Sequence, residues 1–180
     1  MTLASYNIQI GLQPEAIESN ILFLAKNGTD VICLQEVRKD GQTKFSLSKL
    51  LHKLGPGWQE EHFLSDVNNF DFGLAMLWKT PTVVASEFKK IRLPKLEKLN
   101  FIEASVHRFG GFPALPNQRG ALIGNFKIGG DEIEIVNVHL DWQGGLRQRE
   151  KQVRFLANHI GTGERIVICG DLNTVGFFPG

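Results

Sequence analysis

"RGALIGNFKIGGDEIEIVNVHL", residues 119–140, contains two runs of apolar and β-branched residues separated by Gly129-Gly130-Asp131. Runs of this length and composition are typical of β-strands, and a glycine pair followed by aspartate is a hairpin turn signal. The stretch therefore predicts an antiparallel hairpin whose return strand ends at Asn137 and His139.

A helix and a further strand are predicted after this hairpin. Apolar residues in "GGLRQREKQVRFLANHIG", residues 144–161, recur at helical spacing, with arginine and lysine between them. "RIVICGD", residues 165–171, is an apolar run too short for a helix and predicts a buried strand. The helix residues expected to face the core are Leu146, Val153, Leu156 and Ile160.

The first third of the chain predicts a strand–helix–strand unit. "TLASYNIQI", residues 2–10, is typical of a short strand, and "DVICLQE", residues 30–36, of a buried one. Between them Pro14 begins a helix that ends before Gly28. This order is typical of a βαβ unit.

The middle of the chain predicts one helix and two more strands. "FSLSKLLHKLG", residues 45–55, has its leucines on one side of a helix. Strands are predicted at residues 71–79 and 82–91, around the turn Thr80-Pro81. Residues 94–118 lack periodicity and are interpreted as a strand plus a long surface loop. Short strands alternating with helices and hairpins favour a layered α/β domain.

Composition sets limits on function. The 180 residues are 42% apolar and 22% charged, which suits one globular domain or one domain cut short. A formal net charge of +1 gives no strong overall field to recruit nucleic acid or membranes. Cys33 and Cys169 stand in apolar runs and predict buried thiols rather than a disulfide. With no visible signal peptide, we expect a cytoplasmic monomer without a membrane span.

Polar residues stand at the carboxyl ends of four predicted strands. In layered α/β proteins these ends form a common rim where ligands bind. The residues at these ends are Asn7, Gln35, Glu36, Asn137, His139, Asp171 and Asn173.

Taken singly, each of these residues also has a structural explanation. Asn7 could be a turn residue, and Glu36 a helix-capping or surface acid. His139 could be an ordinary buried histidine, and Asp171 with Asn173 could form an Asx-turn. The joint pattern favours a functional site.

The residue types at the predicted rim suit phosphoester chemistry. Glu36 and Asn7, together with the candidate Asp171, supply hard oxygen donors, which favour Mg²⁺ or Mn²⁺ over zinc. His139 can move a proton near neutral pH or donate a hydrogen bond to a phosphoryl oxygen. Arg119 can hold phosphate through its planar guanidinium. Together these groups predict metal-assisted phosphoester hydrolysis.

The chain resembles the endonuclease/exonuclease/phosphatase family, whose members include DNase I-like nucleases. The resemblance implies a four-layer α/β sandwich of two mixed sheets with outer helices. It also implies an Mg²⁺-dependent phosphoric ester hydrolase that is nuclease-like in its chemistry. The matching stretches, in family order, are "SYNIQ" (5–9), "DVICLQEV" (30–37), "FGLAML" (72–77), "RGALIGNF" (119–126), "VNVHLD" (136–141) and "ICGDLNT" (168–174).

The same resemblance implies roles for individual residues. Asn7 and Glu36 correspond to the metal-binding pair, with Glu36 as the direct Mg²⁺ ligand. Arg119 corresponds to the arginine that contacts phosphate, and His139 to the histidine that binds the scissile phosphate and can act as an acid.

Three further residues have implied roles. Asp171 and Asn173 correspond to the pair that positions the attacking water and stabilises the phosphoryl oxygens, so Asn173 also belongs to the phosphate-binding set. Asp71 lies near the family stretch whose carboxylate often orients the histidine.

The chain departs from the family after "GDLN". Family members carry further strands there and a late Ser-Asp-His-type motif, whereas only "VGFFPG" follows Thr174 here. We expect residues 1–180 to be a single domain that lacks its C-terminal strands, so that its second half is incomplete. Such a chain should hydrolyse phosphodiesters weakly or not at all, because the general base is absent.

Three alternatives and the substrate stay open. The chain could be a catalytically inactive fragment, a non-enzymatic phosphate- or protein-binding module of the same fold, or an unrelated α/β domain. The substrate could be nucleic acid, a lipid head group or a small phosphoester. Residues 107–118 and 141–145 are candidate recognition loops, and Trp142 could stack on a base or sugar or simply pack.

Overall fold

The first of two sheets lies in the N-terminal half of the chain. The computed structural model describes residues 1–66, 72–98, 101, 104–105, 109 and 117–174. Over these residues the sheet has four strands in the order β1-β2-β4-β3, with β1 and β2 parallel and β4 antiparallel to both of its neighbours. The strands are β1 (Leu3–Asn7), β2 (Val31–Arg38), β3 (Trp58–Asp66) and β4 (Phe72–Lys79).

The second sheet follows in chain order. In the described part of the chain it has four strands in the order β5-β6-β7-β8, and β7 and β8 are parallel. The predicted hairpin is confirmed: β6 and β7 are antiparallel, and Gly129 and Gly130 between them have φ of 61° and 96°. These positive φ values suit a tight hairpin turn. The strands are β5 (Val83–Arg92), β6 (Gly120–Ile128), β7 (Asp131–His139) and β8 (Ile166–Asp171).

Helices cover the outer face of each sheet. The α-helices that the structure describes from end to end are α1 (Pro14–Lys26), α2 (Leu47–Leu54) and α3 (Gly145–Ala157). Helices α1 and α2 pack on the first sheet, and α3 packs on the second. A separate apolar cluster fills the space between the sheets. The predicted four-layer α/β sandwich of two mixed sheets with outer helices is therefore confirmed.

The predicted inward face of α3 is wrong in part. Leu156 is buried, but Leu146 is 75% exposed and Val153 is 50% exposed. Gln148 and Gln152 are buried in their place. Both glutamine side chains donate to the backbone carbonyl of Pro94. The spacing of apolar residues predicts the buried face of a helix only where the surface beneath it is apolar. Here the backbone carbonyl of Pro94 lies beneath part of α3 and accepts from both glutamines.

Two other parts of the chain differ from expectation. Strand β3 is not among the predicted strands, because its sequence "WQEEHFLSD" is rich in charge. Within residues 99–116 the structure describes four residues, and these have helical backbone instead of strand or loop. Most of the proposed recognition loop at 107–118 lies outside the described residues. The four helical residues are Phe101, Ala104, Ser105 and Phe109.

Two further expectations are that the two cysteines are buried thiols and that the chain has no membrane span. Cys33 on β2 and Cys169 on β8 are free, and their side chains meet between the sheets through a hydrogen bond. Over the described ranges, no helix combines the length and the apolar character needed to cross a membrane.

Gly170, directly before Asp171, has two reasons to be glycine. Its φ is 130°, and a Cβ there would lie 1.9 Å from the carbonyl oxygen of Val138. Gly170→Ala is therefore expected to lower the free energy of unfolding by about 3 kcal/mol or more. Urea unfolding measures the loss. Gly163→Ala is the matched control, since nothing lies within 4 Å of its Cβ position; equal losses in both variants would contradict the prediction.

Candidate active site

A bulge in β2 aims Glu36 at the rim. Gln35 pairs with Leu74 and Val37 pairs with Gly73, which leaves Glu36 without a cross-strand partner. Glu36 has a φ of 63°. A non-glycine residue held in this region costs about 1–3 kcal/mol, and such residues cluster at functional sites. The bulge thus turns the carboxylate out of the regular alternation of the strand.

Asn7 links two carboxylates from opposite sheets. Its Nδ2 donates to Glu36 Oε1 at 3.3 Å and to Asp171 Oδ2 at 2.8 Å. Its Oδ1 accepts the backbone N–H of Gln9 at 2.9 Å, which fixes the orientation of the amide because a backbone nitrogen can only donate. Asn7 therefore positions both carboxylates from the tip of β1.

His139 lies beside these carboxylates. It pairs in register with Asp171, and its Nε2 is 3.7 Å from Asp171 Oδ2 and 3.9 Å from Glu36 Oε1. Burial is the main cause that holds the pKa of His139 well below its usual value, and the charge of Arg119 acts in the same direction. The imidazole is therefore neutral near pH 7, and its contacts with the carboxylates are not ion pairs.

Arg119 lies behind His139 and is itself held by an acid. Its Nη1 is 3.1 Å from Nδ1 and 3.0 Å from Nε2 of His139. A donor at nearly equal distance from both ring nitrogens contacts the face of the ring instead of a single lone pair. Its Nε donates to Asp141 Oδ1 at 3.2 Å, and its guanidinium carbon lies 5.3 Å from the centre of the Phe72 ring.

Asp141 is a member of this group that sequence reasoning missed as a site residue. The side chains of Arg119 and Asp141 are only 4% and 0% exposed, so the two charges form a buried ion pair. Burial is the largest influence on Asp141 and raises the pKa of its carboxyl, while Arg119 opposes that shift. Its sequence signals are its position two residues after His139 and its place at the end of the family stretch 136–141.

Helix α3 fixes Asp141 through Gln152. The backbone N–H of Asp141 donates to Gln152 Oε1 at 2.9 Å, and Gln152 Nε2 donates to Asp141 Oδ2 at 3.0 Å. Gln148, four residues earlier on the same helix face, donates to Pro94 O at 2.8 Å. A chain of contacts therefore runs from α3 through Asp141 and Arg119 to His139. The spacing of the two glutamines was a signal that could have revealed their shared face.

Gln35 and Asn137 do not belong to the rim. Gln35 Nε2 donates to Asn137 Oδ1 at 2.8 Å, and both residues are buried between the sheets. Asn137 Nδ2 donates to the carbonyls of Leu34 at 2.9 Å and Ala75 at 3.0 Å. These polar groups tie the two sheets together, which is a structural role.

Asn173 lies at the rim in a turn next to Asp171. Its φ is 47°, and its backbone N–H donates to Asp171 Oδ1 at 3.0 Å, which is the contact of an Asx-turn. Its Nδ2 donates to Leu140 O at 2.8 Å. Asn173 therefore forms an Asx-turn with Asp171 and lies at the rim at the same time. Asp71 lies outside the described residues.

The donors at the rim fit a hard divalent cation. The side chains of Glu36 and Asp171 are 22% and 30% exposed, so both carboxylates are open to solvent. Among the residues that the structure describes, no three or more histidine, cysteine, aspartate or glutamate side chains are grouped so that they could hold a metal. Mg²⁺ keeps several water ligands and is commonly bound by one or two carboxylates, so this sparse oxygen set suits it.

Solved structures share the fold of this chain. The TDP2 of D. rerio complexed with a single-strand DNA product is 18% identical, with a TM-score of 0.64 over 96% of this chain and 60% of that one. The human Nocturnin catalytic domain with a bound sulfate anion is 21% identical, with a TM-score of 0.61 over 94% and 62%. A mannosyl-6-phosphatase of Bacteroides thetaiotaomicron is 19% identical, with a TM-score of 0.62 over 96% and 65%.

This chain spans less than two thirds of the length of those three structures. Two further comparisons concern the sequence. No curated protein matches it. The sequence matches the endonuclease/exonuclease/phosphatase family over residues 4–180. Because this match covers nearly the whole chain, the protein belongs to the endonuclease/exonuclease/phosphatase family.

Proposed function

We propose that this protein is a metal-dependent phosphoesterase that hydrolyses a phosphoester with an activated water, in the manner of a nuclease. The observation that carries the proposal is the convergence of two carboxylates and a histidine from both sheets, with Asn7 bridging the carboxylates. The family and its structural neighbours support it, because their names describe a protein with a DNA product and a sugar phosphatase.

Glu36 and Asp171 would hold Mg²⁺ or Mn²⁺ in this proposal. When bound, the ion supplies charge neutralisation at the phosphoryl group and a water of lowered pKa. Asn7 keeps the two carboxylates in place through its Nδ2. Its amide oxygen accepts from Gln9, so direct ligation of the ion by Asn7 remains a prediction.

In this proposal His139 would act on the phosphate directly, and Arg119 would act by positioning His139. A neutral imidazole carries one N–H, which can donate to a phosphoryl oxygen. The side chain of Arg119 is only 4% exposed, which favours a positioning role. Direct phosphate binding by Arg119 and Asn173, water positioning by Asp171 with Asn173, and a role for Asp71 remain predictions.

A substrate panel tests the proposed function. Single-stranded DNA, RNA, a phosphocholine head group and a sugar phosphate are incubated with the chain in Mg²⁺, Mn²⁺ or EDTA. We expect weak metal-dependent hydrolysis of at least one substrate. Metal-dependent phosphate binding without hydrolysis would favour a non-enzymatic binding module. The absence of both hydrolysis and binding would contradict both functions. The monomeric state and the cytoplasmic location also remain predictions.

A further inference from the structure

Two cysteine side chains meet between the sheets. Cys33 on β2 and Cys169 on β8 are free thiols, and a hydrogen bond joins their side chains. They are the two cysteines of the chain, so neither has a competing cysteine partner. Cys33 belongs to the apolar cluster between the sheets and is 0% exposed, and Cys169 packs against that cluster. The proposed hydrolysis uses neither thiol.

The sheets are close enough at this level for a disulfide. Cα atoms of β2 and β8 approach within 8 Å of one another, and a disulfide joins Cα atoms about 4.4–6.8 Å apart. Two further contacts hold the sheets together beside the thiols. Gln35 Nε2 donates to Asn137 Oδ1 at 2.8 Å, and Asn7 Nδ2 donates to Asp171 Oδ2 at 2.8 Å. A short movement of the backbone therefore suffices to bring the two sulfur atoms to bonding distance.

The two thiols differ in their access to solvent. Cys169 is partly exposed, whereas Cys33 is fully buried. Ser5 on β1 is exposed, pairs in register with Cys33, and forms a side-chain hydrogen bond with Cys169. Solvent therefore reaches the pair from the side of β1 and β8. A small oxidant meets the sulfur of Cys169 first, and Cys33 lies behind it as the second thiol.

The pair lies beneath the candidate active site. Cys169 precedes Asp171 by two positions on β8, and Cys33 precedes Glu36 by three positions on β2. Residues two apart on a strand project from the same face, so Cys169 and Asp171 face the same way. Within the described residues β8 pairs with β7 alone, whereas β2 is held between β1 and β4. A bond between the sulfurs is therefore expected to move β8, and Asp171 with it.

We propose that Cys33 and Cys169 form a redox switch, in which hydrogen peroxide converts the two thiols into a disulfide that joins the sheets and displaces Asp171. The sulfur of Cys169 attacks a peroxide oxygen, the O–O bond breaks, and the thiol proton leaves with the displaced hydroxide as water. The sulfur of Cys33 then attacks the sulfenic acid on Cys169. The S–S bond forms, the S–O bond breaks, and a second water carries away the proton of Cys33. The sulfurs thereby lose two electrons, and one peroxide becomes two waters.

Mass spectrometry under non-reducing conditions tests the disulfide. The folded chain is treated with hydrogen peroxide, and the remaining thiols are alkylated. The wild type should lose both free thiols and the mass of two hydrogen atoms, and dithiothreitol should restore them. Cys33→Ala should instead stop at a sulfenic acid on Cys169, which dimedone traps. Cys169→Ser should keep its buried thiol, and this change at a partly exposed position keeps the test decisive if Cys33→Ala fails to fold.

The imidazole signal of His139 in an NMR spectrum tests the displacement of Asp171. The Oδ2 atom of Asp171 lies 3.7 Å from Nε2 of His139, so movement of the carboxylate changes the electric field at the ring. The His139→Gln variant identifies the signal by its loss. Peroxide should shift this signal in the wild type and leave it in place in Cys169→Ser, which controls for oxidation elsewhere in the chain.

Three results would overturn the switch. They are survival of both thiols in the peroxide-treated wild type, a disulfide between two chains, and a disulfide within the chain that leaves the His139 signal in place. The switch would control the proposed phosphoesterase, but neither measurement needs metal or turnover. A chain that binds no metal and hydrolyses nothing would therefore reject the proposed function and leave the result on the switch unaffected.

Discussion

Asp141→Asn is expected to lower the free energy of unfolding by about 3–5 kcal/mol. The substitution keeps the shape of the side chain but removes the charge that compensates Arg119, whose side chain is 4% exposed. A buried guanidinium without its carboxylate must either stay unpaired or draw in water, and both are costly. Urea unfolding of the two proteins measures the difference.

Glu150→Gln is the control for this prediction. It also removes the acid of an arginine ion pair, but Arg154 and Glu150 are 78% and 55% exposed on the surface of α3. Exposed pairs contribute about 0–1 kcal/mol, so this variant should unfold nearly as the wild type does. Similar small losses in both variants would mean that Asp141 does not stabilise Arg119.

His139→Gln is expected to lower metal-dependent hydrolysis of the best panel substrate by about 10²–10⁴-fold. Glutamine can still donate a hydrogen bond, but it cannot move a proton, and it removes the ring that Arg119 contacts. Single-turnover assays with excess protein measure the rate even when turnover is slow.

His159→Gln controls for the loss of a histidine elsewhere. His159 follows α3, and its Nδ1 lies 2.9 Å from the carbonyl of Phe155, a contact within its own segment. Its hydrolysis rate should match that of the wild type. An unchanged rate in His139→Gln would mean that His139 takes no part in the proposed chemistry. Urea unfolding of the His139→Gln variant checks that it is folded.

Much of the fold could be predicted from local sequence. The strands at residues 31–38 and 166–171 are apolar runs too short for helices, and the hairpin has a glycine pair at its turn. Strand β3 could not be predicted in this way, because it lies at the edge of the described sheet and carries few apolar residues. Pairing with β4, a long-range contact, decides its conformation.

The residues of the candidate site that stand at the ends of predicted strands could be predicted from the sequence, because these strand ends meet. Asn7, Glu36, His139 and Asp171 come together because the tips of β1, β2, β7 and β8 lie side by side. The positive φ of Glu36 has no sequence signal, since a bulge depends on the partner strand.

Other parts of the site depend on burial, which a strand-end pattern does not predict. Gln35 and Asn137 stand near the same strand ends as the site residues, yet they pair between the sheets. Asp141 reaches Arg119 only because Gln152 on α3 holds it, and polar burial of that helix face contradicts its apolar period. These contacts join residues that no local pattern relates.

Metal titration of the wild type and of Glu36→Gln tests the central claim most directly. The claim is that the rim binds a divalent cation through Glu36, so calorimetry with Mg²⁺ or Mn²⁺ should show binding to the wild type and affinity at least about tenfold weaker in the variant. The exposed acid Glu164, replaced by glutamine, is the control and should leave affinity unchanged. Equal affinity in the wild type and Glu36→Gln would contradict the metal site on which the proposed phosphoesterase depends.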